Sequence, residues 1–179
     1  MAIRIVISCL VLLGIAACQK KAQPAHPNLG YTVPLSEADW QVQWRGLGAL
    51  VQPTKATPQV VYMSVTPEPF EFIPAGQTVA QALVAYAHDK IKQTPTFNHQ
   101  LHPAQIEQPR TKDNVVSVAY QHHYATGPLQ VVTWNRLVYC PPYVLLVTGM
   151  AEQTVAEKWR SALDALTREV SCGNMLQQK

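Results

Sequence analysis

Tyr143-Val144-Leu145-Leu146-Val147 is apolar at every position. A strand with one wet face would turn polar at every second residue, so this run is buried on both sides. A sheet covered on both faces needs an element packed on each, and the flanking sequence supplies them. Asn114 to Met150 reads as a three-stranded antiparallel meander. Its first strand is Asn114–Tyr124, and Thr126-Gly127-Pro128 is the turn. Leu129–Tyr139 returns, and Pro141-Pro142 turns again into the apolar run. Beyond it, Thr154 followed by Glu157 has the form of a helix capping box, and Val155, Trp159, Leu163, Leu166 and Val170 recur at helical spacing. This helix is predicted to cover one face. A second helix over 78–92 opens with Thr78 and Gln81, again a capping box, and carries the stripe Val79, Ala82, Leu83, Tyr86, Ile91. It is predicted to cover the other.

Farther toward the N-terminus, residues 31–66 read as short strands. Trp40-Gln41-Val42-Gln43-Trp44 alternates, which puts both tryptophans and Val42 on one face. Gly46 and Gly48 interrupt before Ala49-Leu50-Val51. Val60–Thr66 is β-branched and aromatic-rich, and Pro67 and Pro69 are predicted to stop it. Residues 67–77 form a Pro/Gly loop, and 93–113, with Pro103 and Pro109, form a long connection with room for one short strand. No internal repeat is evident. The fold class expected is α+β, an antiparallel β-sheet with helices packed on its faces, as a single domain over 31–179.

That order of elements resembles the PsbP-like fold, and within it the DcrB-like bacterial lipoproteins. The likeness is carried by Tyr31-Thr32-Val33-Pro34, the Trp40 region, Val60–Val65 and Gly76-Gln77-Thr78-Val79. Its strongest part is Tyr143–Thr148 running into Ala156-Glu157-Lys158-Trp159. It spans most of 31–171 through patterns of fold rather than of chemistry. The resemblance implies non-enzymatic work. PsbP-like domains serve as accessory subunits of membrane complexes, and related proteins chaperone type VI secretion effectors or serve in the bacterial envelope. Fold alone does not determine function, so this is analogy.

The first eighteen residues address location. Arg4 precedes an apolar run from Ile5 to Ala17, and small residues lead into Cys18. Charge, apolar segment and small-residue cleavage site are the parts of a secretory signal. The run of about 13 residues is shorter than the ~20 a membrane-spanning helix needs. With the cysteine at the cut, Ile15-Ala16-Ala17-Cys18 resembles a bacterial lipobox. The resemblance implies removal of residues 1–17, a lipid on the Cys18 sulfur and acylation, palmitate among the chains, of the new N-terminus. More than one acyl chain anchors stably to a membrane. Gln19 in place of Asp favours the outer membrane, by resemblance to enterobacterial lipoproteins. Residues 18–30 then read as a lipidated flexible tether on the periplasmic side, without apolar periodicity and interrupted by Pro24 and Pro27.

Cys9 leaves with the signal. If Cys18 is lipidated, Cys140 and Cys172 remain as an even pair, and an oxidising periplasm would let them join. Such a bridge closes a loop of about 30 residues and contributes roughly 3–4 kcal/mol. The alternative is two buried thiols that never meet. The net charge of +3 is no electrostatic footprint for nucleic acid.

Catalytic signatures are missing: there is no Gly-x-Ser-x-Gly elbow, no His-Glu-x-x-His and no Walker loop. His99 and His102 lack a third donor of the kind zinc or copper needs, so no metal and no cofactor is expected. His122 and His123 point to opposite faces of their strand. His122 joins Val116, Val118, Tyr120 and Tyr124, either as a bonded core histidine or as part of a partner or ligand pocket. Glu68 and Glu71 bracket Pro69-Phe70 as loop acids. Trp40 and Trp44 are core candidates, with an exposed aromatic patch for a partner as the alternative. The expected role is that of a lipid-anchored, non-catalytic accessory protein binding a protein partner in an envelope assembly. The alternative is a small-ligand or enzymatic site near His122.

Overall fold

The computed structural model describes residues 24–33, 35, 39–70, 73–94, 105–126 and 128–173. The signal sequence, Cys18, Glu71, His99 and His102 lie outside the described residues. The elements in chain order are β1 (Trp40–Arg45), β2 (Gly48–Pro53), β3 (Val61–Pro69), α1 (Val79–Gln93), β4 (Gln105–Ile106), β5 (Arg110–Lys112), β6 (Val115–Thr126), β7 (Leu129–Cys140) and β8 (Tyr143–Glu152). A 3-10 turn (Gln153–Val155) leads into α2 (Ala156–Glu169). The strands form one antiparallel sheet in the order β1-β2-β3-β8-β7-β6-β4, with β5 also paired to β6. The architecture is α+β, as the apolar run of β8 requires.

β8 is the central strand, and its two sides feed two cores. Leu145 and Val147 pack with Val132, Trp134 and Val138 of β7 and with Leu163 and Leu166 of α2. Val144 packs with Leu137, Val118 and Leu83 of α1 on the opposite face. Gly149 lets α2 come close, because a Cβ there would sit 3.2 Å from both Leu163 Cβ and Thr167 Cγ2. The β1–β2 hairpin pairs Arg45 with Gly48 and turns through Gly46, whose φ of 58° suits a residue without a side chain.

Four local expectations are corrected. Pro67 and Pro69 do not stop β3, which continues to Pro69 along β8. β2 pairs with β3 only as far as Val65, so the missing proline N–H groups fall on an open stretch of edge, where a strand tolerates them. The long connection holds two short strands, β4 and β5, rather than one. The fold also starts ahead of Tyr31. Pro24 to Gly30, expected within the tether, folds back on itself: the Val33 amide donates to Pro24 O and the His26 amide to Tyr31 O. The His26 ring is 2% exposed; its Nδ1 accepts from the amides of Asn28 and Leu29, which leaves Nε2–H to donate to Gly46 O at 3.0 Å. A histidine so placed closes the segment onto the β1–β2 turn.

The fourth correction concerns helix starts. At α1 the Gln81 amide donates to the Thr78 hydroxyl and the Thr78 amide donates to Gln81 Oε1, the reciprocal box expected. At α2 no box forms. Thr154 lies inside the 3-10 turn and gives its hydroxyl to Glu152 at 3.0 Å, and α2 begins from Val155 with no side-chain cap.

Candidate functional site

Alongside the part of the sheet that α2 covers, β6 and β7 extend past the helix and leave a cleft of about 380 Å³, with Trp134, Gln121 and Arg136 among its walls on the sheet side and Arg160, Asp164 and Arg168 on the α2 side. A neighbouring notch of about 270 Å³ shares Arg136, Arg168 and Glu107 and adds Arg110, Lys112 and Ser117. The alternation of β7 explains the site. Val132, Trp134 and Val138 point into the α2-side core, so Arg136 in the same register must point that way too.

Arg136 is half-buried. One of its terminal nitrogens donates to the backbone oxygen of Arg168 at the end of α2, and the other to Ser117 Oγ at 3.0 Å. It therefore caps a helix C-terminus, where a cation is favoured. Burial lowers its pKa from the ordinary arginine value, and the nearby charges of Arg168 and Arg110 lower it further, against the opposing pull of Glu107. Arg168 is the reverse case. Its Nε donates to both oxygens of Asp164 at 3.0 and 2.9 Å, and its Nη2 donates to Glu107 Oε1 at 2.9 Å. The hydrogen bond to Asp164, then that to Glu107, raise its pKa. Glu107 also accepts from Arg110 Nη2 at 3.0 Å, so one carboxylate joins two guanidinium groups and ties the β4–β5 connection to α2.

The opposite face divides into two parts. Under α1, Lys90 Nζ lies 2.7 Å from Glu68 Oε2, and the Tyr86 hydroxyl donates to the same carboxylate. Burial raises the pKa of Tyr86, and its hydrogen bond to Glu68 adds to this. Tyr120 is pushed up to about 12, chiefly by burial and then by the Glu68 charge. Beyond α1 runs a buried polar ladder. The Thr133 hydroxyl donates to His122 O, Asn135 Nδ2 donates to Thr133 Oγ1, and the Thr148 hydroxyl donates to Asn135 Oδ1. His122 is 5% exposed beside this ladder; burial lowers its pKa, and the His123 charge adds to the effect.

The residues singled out in the sequence thus do not form one site. His122 sits on the α1-side face with Val118 and Tyr120, away from the tryptophans. Trp40, read as a core candidate with a partner surface as the alternative, lies in the core: it is 6% exposed and meets Trp159 edge-on at 5.5 Å. Trp44 is half-buried in a corner with His26 and Tyr31, at ring distances of 5.1 and 5.9 Å. The alternation of β1 turns both rings toward α2 and the N-terminal segment rather than outward. Cys140 and Cys172 are joined, with Cα atoms 5.4 Å apart, and fix the chain after α2 to the end of β7. Among the described residues no group of three or more His, Cys, Asp or Glu is placed to hold a metal ion. The arginine cleft is not among the sites expected from the sequence. Its one signal there is Arg136, a charge at an inward-facing position between Trp134 and Val138.

No protein-family model matches the chain, and no curated protein sequence matches it. Among solved structures, the chain is similar to the cyanobacterial PsbP, CyanoP, of Synechocystis sp. PCC 6803, with a TM-score of 0.49 and 13% identity over 80% of this chain and 98% of that one. It is also similar to PA94, a protein of unknown function from Pseudomonas aeruginosa, with a TM-score of 0.39 and 13% identity over 72% of this chain and 96% of that one.

Proposed function

We propose that this chain is a lipid-anchored protein of the bacterial envelope whose folded domain binds a protein partner in a larger assembly, such as a secretion or conjugation system, without catalysing a reaction. The observation that carries the reading is the Cys140–Cys172 bridge. Structural disulfides persist in oxidising compartments, and the N-terminal segment has the form of a signal that delivers a chain to one. Attachment would run through Cys18, with the outer membrane favoured by Gln19. The pairing of Arg168 with both Asp164 and Glu107 suits a rigid docking surface, since the charges that shape it are already held in place. The pocket reading at His122 draws less support, because that side chain is 5% exposed.

Two measurements test this. Cys18→Ser should move the protein from the membrane fraction to the soluble fraction while its melting temperature does not change; equal membrane recovery of variant and wild type rejects the anchor. Affinity capture of the native chain from mildly crosslinked cells should return a defined set of envelope-assembly proteins. Recovery of the chain alone rejects the accessory role.

A further inference from the structure

We propose that the notch between β5, β6, β7 and the end of α2 binds a doubly charged oxyanion of the phosphate class. The inference stands on the charge and geometry of this site and does not depend on the partner-binding role. Arg110, Lys112, Arg136 and Arg168 border the notch of about 270 Å³ with Glu107 and Glu169, and Asp164 pairs with Arg168 from beside it, so four cations meet three carboxylates, a surplus of one positive charge. The surplus is not spread evenly. Arg168 is saturated by Asp164 and Glu107, and Glu107 is shared with Arg110.

Arg136 is the arginine of the notch that forms no ion pair among the described residues; Glu107 acts on it only from a distance. Among the described residues its two hydrogen bonds go to uncharged oxygens, Arg168 O and Ser117 Oγ. A guanidinium has five N–H donors, and those two bonds use two of them. A half-buried cation held among other cations, with donors to spare, is stabilised by an anion that accepts from it in a fork. Arg110 and Lys112 stand on β5, an exposed strand of the rim, and can close over such an anion from the solvent side. Ser117, on the neighbouring strand β6, adds a hydroxyl at the same place. A phosphate monoester carries close to two negative charges at neutral pH and presents three strong acceptor oxygens, enough to meet Arg136, Lys112 and the Ser117 hydroxyl at once, whereas a carboxylate presents two. Glu107 is the resident anion with which this ligand must share the arginines.

The test titrates inorganic phosphate into the full-length chain in nonionic detergent, at low ionic strength and about pH 7.5, followed by calorimetry and phosphorus NMR. One saturable site is expected. Arg110→Gln combined with Lys112→Gln, both at exposed positions, should weaken binding at least about tenfold with the circular dichroism unchanged. Arg136→Gln should remove binding. Glu107→Gln should tighten it several-fold, a change that a purely structural ion pair would not produce. Binding should also weaken as pH is lowered through the second ionisation of the inorganic phosphate probe, which lies close to neutrality. Capture by phosphatidic acid vesicles over phosphatidylcholine vesicles, reversed by inorganic phosphate, supports the site with a lipid headgroup as the source. Phosphate binding without vesicle capture supports it with a soluble ligand. No saturable binding of either probe, or equal affinity in the Arg110/Lys112 double variant, overturns the proposal.

Discussion

Helix α1 begins on a cap in which Thr78 and Gln81 satisfy each other's backbone, whereas α2 starts from a 3-10 turn without a side-chain cap and is held from its far end. The α1 helix buries only Ala82, Leu83 and Ala87 fully, and its outer turns are tied to the sheet through Glu68. The α2 helix buries Ala156, Leu163, Leu166 and Thr167 against the larger core. Past its end, Ser171 pairs with Thr32, Cys172 is bonded to Cys140, and Arg136 donates to the oxygen of Arg168. A helix with a narrow buried face leans on local signals. A helix with a broad one can do without them, because tertiary contacts satisfy its ends.

The contrast can be broken from its strongest side first. Cys140→Ser should cost about 3–4 kcal/mol, since the bridge closes a loop with a sequence separation of 32. Urea denaturation under oxidising conditions should show the midpoint fall in the variant, and a reducing agent should bring wild type to the same midpoint. An unchanged midpoint would mean that packing alone holds the end of α2. The next effect is smaller and compares the two helix starts. Thr78→Ala should cost about 1 kcal/mol through loss of a real cap. Thr154→Ala should stay within about 0.5 kcal/mol, because among the described residues its hydroxyl meets the Glu152 side chain, in an exposed bond. Equal losses at both sites would show that α2 uses its cap after all.

The smallest effect is a slope rather than a midpoint. His122 has its pKa lowered in the fold by burial, so the unfolded chain takes up a proton more readily. Stability from this group is therefore complete above the ordinary histidine value of 6.5 and declines as pH falls through the lower folded value. His122→Gln should flatten the dependence of unfolding free energy on pH below 6.5. A variant that keeps the full wild-type slope would assign the effect to another group.

The elements legible in the sequence are those with a repeating one-face pattern: the unbroken β8, the meander leading to it, and the stripes of α1 and α2. Periodicity reports which side of an element is buried, and here it reports both sides of the sheet. What it misses depends on partners distant in the chain. Glu107 meets Arg168 across 61 positions, and neither residue has a local pattern that names the other. His26 reads as part of a polar linker because its burial comes from Tyr31, Trp44 and the Gly46 carbonyl. Pro67 and Pro69 read as strand stops because a sequence does not reveal where a neighbouring strand ends. Thr154 matches a capping pattern, but its hydroxyl goes to Glu152 instead.

The early start of the fold at Pro24 sets a mechanical limit. In the proposed anchored state, the chain from Cys18 to Pro24 spans roughly 20 Å at full stretch, at about 3.3–3.6 Å per residue. A linker lasting to Tyr31 would have allowed roughly 45 Å on the same scale. The domain would be confined to a thin layer above the lipid headgroups, with little room to swing. A partner would have to reach down to it, and every encounter would take place at the bilayer surface.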